Sequence, residues 1–87
     1  MTYLPLKLCS GRAAYEAIPQ PKRPVDLVRL RERLRAEGTD VIDAGVMLIA
    51  RLEREVTISR SGRILIKTAD PAEAERLLHR IERLLPD

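Results

Sequence analysis

The amino-acid sequence predicts a single α+β domain in which two helices cover one face of an antiparallel sheet. Residues 55–70, "EVTISRSGRILIKTAD", alternate between apolar and polar, break at a Ser-Gly and alternate again, as the two strands of a hairpin do. One amphipathic segment precedes this hairpin and another follows it. The chain has 87 residues, enough for one hydrophobic core. We therefore expect one domain over residues 1–87, with the order strand, helix, strand, strand, strand, helix.

The first strand is expected within residues 1–9. Apolar residues recur through the segment "TYLPLKLC", but Pro5 removes one hydrogen-bond donor from any strand that contains it. The sequence therefore predicts an edge strand, or a strand that begins after Pro5. Residues 10–24 contain one glycine and three prolines and are predicted to form an extended connection, with a short helical turn at residues 13–18, "AAYEAI". Residues 25–87 are expected to hold a helix, three strands and a helix.

The first helix is expected over residues 25–37. Its leucines recur at helical spacing, and Gly38 is suited to the left-handed residue that ends many helices. The next segment, "DVIDAGVMLIARLE", is rich in apolar and β-branched residues, and Gly45 is expected to divide it into a short extended piece and a strand over residues 46–52. Both faces of that strand are largely apolar, which is typical of an interior strand.

The turn of the hairpin decides which side chains share a face. A two-residue loop of Ser61 and Gly62 scatters the apolar residues over both faces. A three-residue loop over residues 60–62, with Gly62 at a positive φ, gives one continuous apolar face, so this register is the predicted one. Its pairs are Ile58 with Ile64 and Val56 with Ile66. The other face then holds a mixed set of residues: Thr57, Ser59, Arg63, Leu65 and Lys67, beside Met47, Ile49 and Arg51.

The second helix has the clearest start in the chain. Asp70 is suited to the N-cap, Pro71 to the first helical position, and Glu73 to the return hydrogen bond of a capping box. An apolar stripe follows at helical spacing and is expected to cover the apolar face of the hairpin. The stripe consists of Ala74, Leu77, Leu78, Ile81, Leu84 and Leu85. With both helices on one side, the other side of the sheet is left to solvent or to a partner.

Composition limits the choice of partners. The chain has 16 Lys and Arg against 13 Asp and Glu, a net charge of +3 that permits a polyanionic partner without requiring one. It has two Tyr and neither Phe nor Trp, so stacking of single-stranded bases on aromatic side chains is nearly unavailable. Cys9 is the single cysteine and is expected to be buried and inert. Together with the lack of a long apolar run, it predicts a cytoplasmic protein that does not enter a membrane.

No catalytic or cofactor motif is recognisable, so the sequence favours a binding domain over an enzyme and predicts neither metal nor cofactor. His79 lies one helical turn from Glu75 and from Glu82, and we expect a weak pairing with these acids or simple exposure instead of metal binding, because no second His and no Cys lies at ligand spacing. Residues 10–12, "SGR", lack the lysine of a phosphate-binding loop and the spacing of a dinucleotide-binding one. A small-molecule site on residues 10–23 would require a pocket there.

The mixed face of the hairpin has two interpretations, which can coexist. In the first, basic residues contact nucleic-acid phosphates and hydroxyl groups bond to the minor groove. These are Arg51, Arg60, Arg63 and Lys67 for the phosphates, and Thr57 and Ser59 for the groove. In the second, apolar residues form the seam of a homodimer, with the basic residues around its rim. The seam residues are Met47, Ile49 and Leu65. Docking of a different protein on the same face, as in an accessory subunit, is the alternative from another functional class.

Residues 25–85 resemble one repeat of the TATA-binding protein. "VDLVRL" is similar to its first helix, "DAGVMLIARLE" to its turn and strand, "ISRSGRILIKTAD" to its hairpin, and "AEAERLLHRIERLL" to its last helix. In that family two repeats form a saddle whose concave sheet face enters the DNA minor groove and inserts Phe wedges. The resemblance implies the same fold and a homodimer that restores the saddle, with Arg51 and Arg63 at basic positions of the family. The positions matching the wedges are Asp43 and Ser59, so the resemblance does not imply TATA recognition.

Overall fold

The structure, a computed structural model, describes residues 2–8, 13–21 and 23–86. In this part of the chain, six strands form an antiparallel sheet, two short strands form a separate pair, and two helices pack on the sheet. The strands are β1 (Thr2–Tyr3), β2 (Lys7–Leu8), β3 (Tyr15–Ala17), β4 (Pro19–Gln20), β5 (Asp40–Asp43), β6 (Met47–Arg51), β7 (Glu55–Ser59) and β8 (Ile64–Ile66); the helices are α1 (Leu27–Ala36) and α2 (Pro71–Leu84). The order across the sheet is β2-β3-β8-β7-β6-β5, and β1 pairs with β4. The predicted α+β class is confirmed.

The predicted hairpin register is also confirmed. Gly62 has a φ of +93°, and its N–H donates to the Ser59 carbonyl at 2.9 Å, which closes the three-residue loop. Ile58 lies opposite Ile64, and Val56 lies opposite Ile66. All four side chains are fully buried beneath the helices. The apolar residues of the two strands therefore face the core, as the alternation requires.

The expected helical turn at residues 13–18 is wrong, because this segment contains β3. Tyr15 lies opposite Ile66 and Ala17 opposite Ile64, and Ala17 is fully buried. Local preference favours a helix for Ala and Glu, but a strand here supplies hydrogen-bond partners to β8, which would otherwise be an exposed edge. Sheet pairing outweighs the local preference.

The expected count of three strands after the first helix is also wrong, because four strands follow α1. The extended piece before Gly45 is itself a strand, β5, which pairs with β6 over its whole length. The single first strand expected within residues 1–9 is also wrong, because two strands lie there: β1 precedes Pro5 and pairs with β4, whereas β2 begins after Pro5 and forms the other edge of the six-stranded sheet. Cys9, with its expected burial, and residues 10–12 lie outside the described residues.

Both helices contribute an apolar stripe to one core. Helix α1 buries Leu27, Leu30 and Leu34 against β5 and β6, while α2 packs on β8 and β3. The predicted stripe of α2 is confirmed: four of its residues are buried and the last two pack against the core. Helix α1 begins two residues later than predicted, with Asp26 as its N-cap, and Gly38 has the expected positive φ of +83°.

The start of α2 differs from the prediction in one bond. Asp70 is the N-cap and accepts from the Ala72 N–H at 3.0 Å, with Pro71 first in the helix, as expected. The capping box is wrong: the Asp70 N–H donates to the Thr68 hydroxyl at 3.1 Å rather than to Glu73. Glu73 instead accepts from the Thr68 hydroxyl at 2.6 Å and from Arg54 Nε at 2.9 Å. The buried Thr68 therefore takes the place of the return bond.

The two helices lie on the same side of the six-stranded sheet and leave the other side uncovered. This uncovered side, called the open face below, carries the residues that alternate with the buried ones along each strand. The described residues form two helices, α1 and α2, and neither is both long enough and apolar enough to cross a membrane.

Candidate binding surface on the open face

Three rows of side chains cross the open face, and the middle one is mostly apolar. In this central row, Ile42 lies opposite Ile49, Ile49 opposite Thr57, and Thr57 opposite Leu65. Ile42 is 45% exposed, while Ile49 and Leu65 are half-buried by their neighbours in the sheet. Three of the four strands thus contribute an aliphatic side chain to this row, and apolar side chains that cluster at a surface are typical of a contact with another molecule.

The second row is shorter and mixed. Met47 lies opposite Ser59, and the Ser59 N–H donates to the Arg63 carbonyl at 2.9 Å. Met47 and Ser59 are half-buried and Arg63 is exposed. The hairpin register thus brings the predicted seam residues and most of the predicted nucleic-acid contacts onto one face, while their roles in binding stay predictions.

The third row consists of charges that alternate in sign. Asp40 lies opposite Arg51 and Arg51 opposite Glu55, and Lys67 follows, with its N–H donating to the Glu55 carbonyl at 3.0 Å. Lys67 Nζ lies 2.6 Å from Glu55 Oε2. Donation from this ammonium group is the main cause that lowers the pKa of Glu55, and the charge of Arg51 adds to it. The set of Asp40, Arg51, Glu55 and Lys67 is called the charged row below.

Acidic residues also accompany the remaining bases of the open face. Arg63 forms an ion pair with Glu16 of β3, and Lys7 of β2 lies opposite Glu16. The cations of the open face are therefore interleaved with carboxylates instead of forming a continuous basic strip. This pattern lowers the attraction of the face for a polyanion and leaves a polar border around the central row.

Arg60, one of the predicted phosphate contacts, lies in the hairpin loop rather than within the rows of the open face. Its N–H donates to the Val46 carbonyl at 2.9 Å, and its carbonyl accepts from the Val25 N–H at 2.7 Å. A shallow groove of about 380 Å³ lies beside it and is lined by Arg23, Pro24, Arg60 and Ser61. Arg60 is exposed there and makes no ion pair with a described residue.

Asp43, which matches one wedge position of the TATA-binding protein, lies on the helix side of the sheet. It stands opposite the fully buried Leu48 and accepts from Arg31 of α1 at 2.5 Å and from the Gly45 N–H at 2.9 Å. The two hydrogen bonds lower the pKa of Asp43 below its ordinary value, and the bond from the Gly45 N–H has the larger effect. Of the two wedge positions, only Ser59 is on the open face.

A second groove, of about 410 Å³, lies between the N-terminal segment and α2. It contains His79, whose Nε2 is 3.4 Å from Glu75 and whose Nδ1 is 3.3 Å from Glu82, in agreement with the predicted acid pairing. Tyr3 also lines it, and burial, with a contribution from the charge of Glu82, raises the pKa of Tyr3 to about 12. Its hydroxyl donates to the Gly62 carbonyl at 2.6 Å. Within residues 2–8, 13–21 and 23–86, no three His, Cys, Asp or Glu side chains form a metal site.

The sequence did not predict that Asp40, Ile42, Glu16 and Glu55 would lie on the open face. Ile42 and Asp40 belong to β5, which was expected to be only an extended piece, although the alternation in "DVID" is the signal of a strand. Glu16 was missed because residues 13–18 were expected to form a helical turn. Glu55 lies at the start of the predicted hairpin, and only the pairing with Lys67 gives it a place in the charged row.

No family model, no curated protein and no solved structure matches the chain significantly.

Proposed function

We propose that this chain is a binding domain without enzymatic activity, and that it pairs with a second copy of itself through the open face. The central row carries the proposal, because Ile42 and Ile49 lie side by side, with Leu65 just beyond Thr57, on a face that neither helix covers. Each Å² of apolar surface that a partner removes from water contributes about 25 cal/mol. The open face is therefore the part of the sheet that gains most from being covered.

The surroundings of the central row fit a protein contact. The charged row lies along one side of it, and the Arg63–Glu16 ion pair lies beyond its end. An apolar centre within a polar border is the usual composition of a protein interface. The same features would also suit a different protein that docks on this face, which is the alternative outcome of the test below.

Nucleic acid is the second candidate ligand of the open face. It is favoured by Arg51 and by Arg60 with the neighbouring Arg23, which are exposed and form no ion pair with a described residue. The resemblance to a TATA-binding-protein repeat supports it, since α1, β6, the β7–β8 hairpin and α2 follow one another in the order that the resemblance implies. We infer on the same grounds that the fold is of that type. The single cysteine supports a cytoplasmic location.

The oligomeric state of two matched variants tests the proposal. Ile49→Glu puts a charge into the centre of the contact, and Val28→Glu puts the same charge on α1, where Val28 is 52% exposed. Sedimentation velocity over a range of concentrations should show a dimer for the wild type and for Val28→Glu. Dimerisation of Ile49→Glu should be weaker by about tenfold or more, because an unpaired charge would be buried. Circular dichroism checks that both variants fold.

Three other outcomes would redirect the proposal. A wild-type monomer would contradict it. A monomer that binds a labelled DNA duplex at low salt, with an affinity that falls as salt rises, would support nucleic acid instead. A monomer that does not bind the duplex would favour docking of a different protein. Equal dimerisation of Ile49→Glu and the wild type would place the contact away from the open face.

A further inference from the structure

The charged row is complementary to itself when it is reversed, and we propose that this property sets the geometry of the dimer. Two copies stack with their open faces together, about a two-fold axis that runs parallel to the strands between β6 and β7. This inference rests on the proposed function, because it specifies how the second copy lies on the open face.

The geometry follows from what such an axis does to the sheet. A rotation about a line parallel to the strands keeps every residue at its height along the strands and reverses the order of the strands. Strand β6 then lies over β7 of the second copy, and β5 lies over β8. The order of signs in the charged row is negative, positive, negative, positive, so its reversal sets unlike charges against each other. Arg51 meets Glu55 of the second copy, and Asp40 meets Lys67 of the second copy.

The same operation also matches the apolar residues. In the central row, Ile42 lies over Leu65 of the second copy, and Ile49 lies over Thr57, whose side chain carries one methyl group. In the second row, Met47 lies over Ser59. The apolar contact then runs along the middle of the interface and is bordered by ion pairs. Each contact occurs twice, as a two-fold axis requires: Ile42 lies over Leu65 of the second copy, and Leu65 lies over Ile42 of the second copy.

A two-fold axis across the strands does not give this match. If it passed through the charged row, each charge would meet its own counterpart, so Arg51 would face Arg51 of the second copy. If it passed through the central row, the charged row would lie over the second row, and Lys67 would approach Arg63 of the second copy. An axis along the strands and an axis across them both leave the strands of the two sheets aligned, as in known sandwiches. The choice between them therefore depends on charge, and like charges facing each other are unfavourable.

The twist of the sheet limits which ion pairs between the two copies can stabilise the dimer. Neighbouring strands are rotated by about 20 to 25° relative to one another, so two stacked twisted sheets lie closest near the axis and separate toward their edges. Arg51 and Glu55 are on the two strands beside the axis and are within reach of each other across it. Asp40 and Lys67 are one strand further out, and we expect their contribution to be smaller.

Charge reversal at the two central positions tests this geometry. Arg51→Glu sets two acidic side chains against each other across the axis, and Glu55→Arg sets two basic ones, so each variant alone should dimerise about tenfold or more weakly than the wild type. An equimolar mixture should recover dimerisation, because the acid introduced at position 51 meets the base introduced at position 55. Damage within one chain would not be repaired by mixing. Added salt should reduce all these differences.

The matched control is the same pair of changes on α1, Arg29→Glu and Glu32→Arg, at exposed positions away from the sheet. These variants change the net charge by the same amounts and should dimerise like the wild type, alone and mixed. Recovery in the Arg51→Glu and Glu55→Arg mixture alone is the expected result. If Ile49→Glu abolishes the dimer but mixing recovers nothing, the geometry is wrong and the proposed function stands. A wild-type monomer overturns both.

Discussion

At the scale of single residues, Glu73 connects the start of α2 to the turn between β6 and β7. It accepts from the Thr68 hydroxyl and from Arg54, and its side chain is only 15% exposed. Thr68 in turn accepts from the Asp70 N–H. The turn, the helix start and the end of β8 therefore depend on one ionised carboxylate.

The acid sensitivity of this contact has a definite direction. Donation from Thr68, and then from Arg54, lowers the pKa of Glu73 below its ordinary value of about 4.3. Ionised Glu73 therefore stabilises the fold fully above that pH, and its contribution is lost as the pH falls through the lowered pKa. Glu73→Gln should be less stable than the wild type at pH 7, and the difference between their free energies of unfolding should become smaller below about pH 4.3.

Urea titrations of both proteins at the same protein concentration, repeated from pH 7 to acid, measure this difference in the free energy of unfolding. The control is Glu75→Gln on the same helix, whose carboxylate is exposed and, among the described residues, forms an ion pair with His79 alone. We expect it to unfold close to the wild type at neutral pH. If Glu73→Gln and the wild type differ in free energy of unfolding as much in acid as at pH 7, ionisation of Glu73 does not stabilise the fold.

At the scale of elements, the β7–β8 hairpin determines which side chains reach the open face. Its register depends on the loop over residues 60–62, in which Gly62 has a φ of +93°. Gly62→Ala should lower the free energy of unfolding by about 1 to 2 kcal/mol, because a side chain at positive φ is strained. Ser61→Ala, in the same loop and exposed, should change it by less than about 0.5 kcal/mol. Equal unfolding midpoints for the two variants would contradict this role of Gly62.

The elements that the sequence predicted are those with strong local signals. The hairpin has a two-residue alternation and a glycine at its turn, and α2 has a cap, a proline and a six-residue apolar stripe. Strand β3 has no such signal: "YEA" is compatible with a helix, and it is a strand because β8 needs a partner. Local propensity cannot anticipate a choice that depends on a distant strand.

At the scale of the whole molecule, the candidate surface was predictable in part. The register places Met47, Ile49 and Leu65 on one face together with Thr57, as expected. The expected basic strip is altered by Glu16 and by Asp40, which come from strands that the sequence did not reveal. The face was therefore predictable from the sequence, whereas its alternating charges depend on the complete sheet.

The central claim is that two copies meet on their open faces, and it can be observed directly. Isotope-filtered NOE spectroscopy on an equal mixture of ¹³C-labelled and unlabelled protein detects only contacts between copies. The proposed arrangement predicts cross-peaks between the methyl groups of Ile49 in one copy and the methyl group of Thr57 in the other, because this pair lies nearest the two-fold axis. Intermolecular cross-peaks confined to α1 or α2, or none at concentrations at which the chain is dimeric by sedimentation, would contradict it.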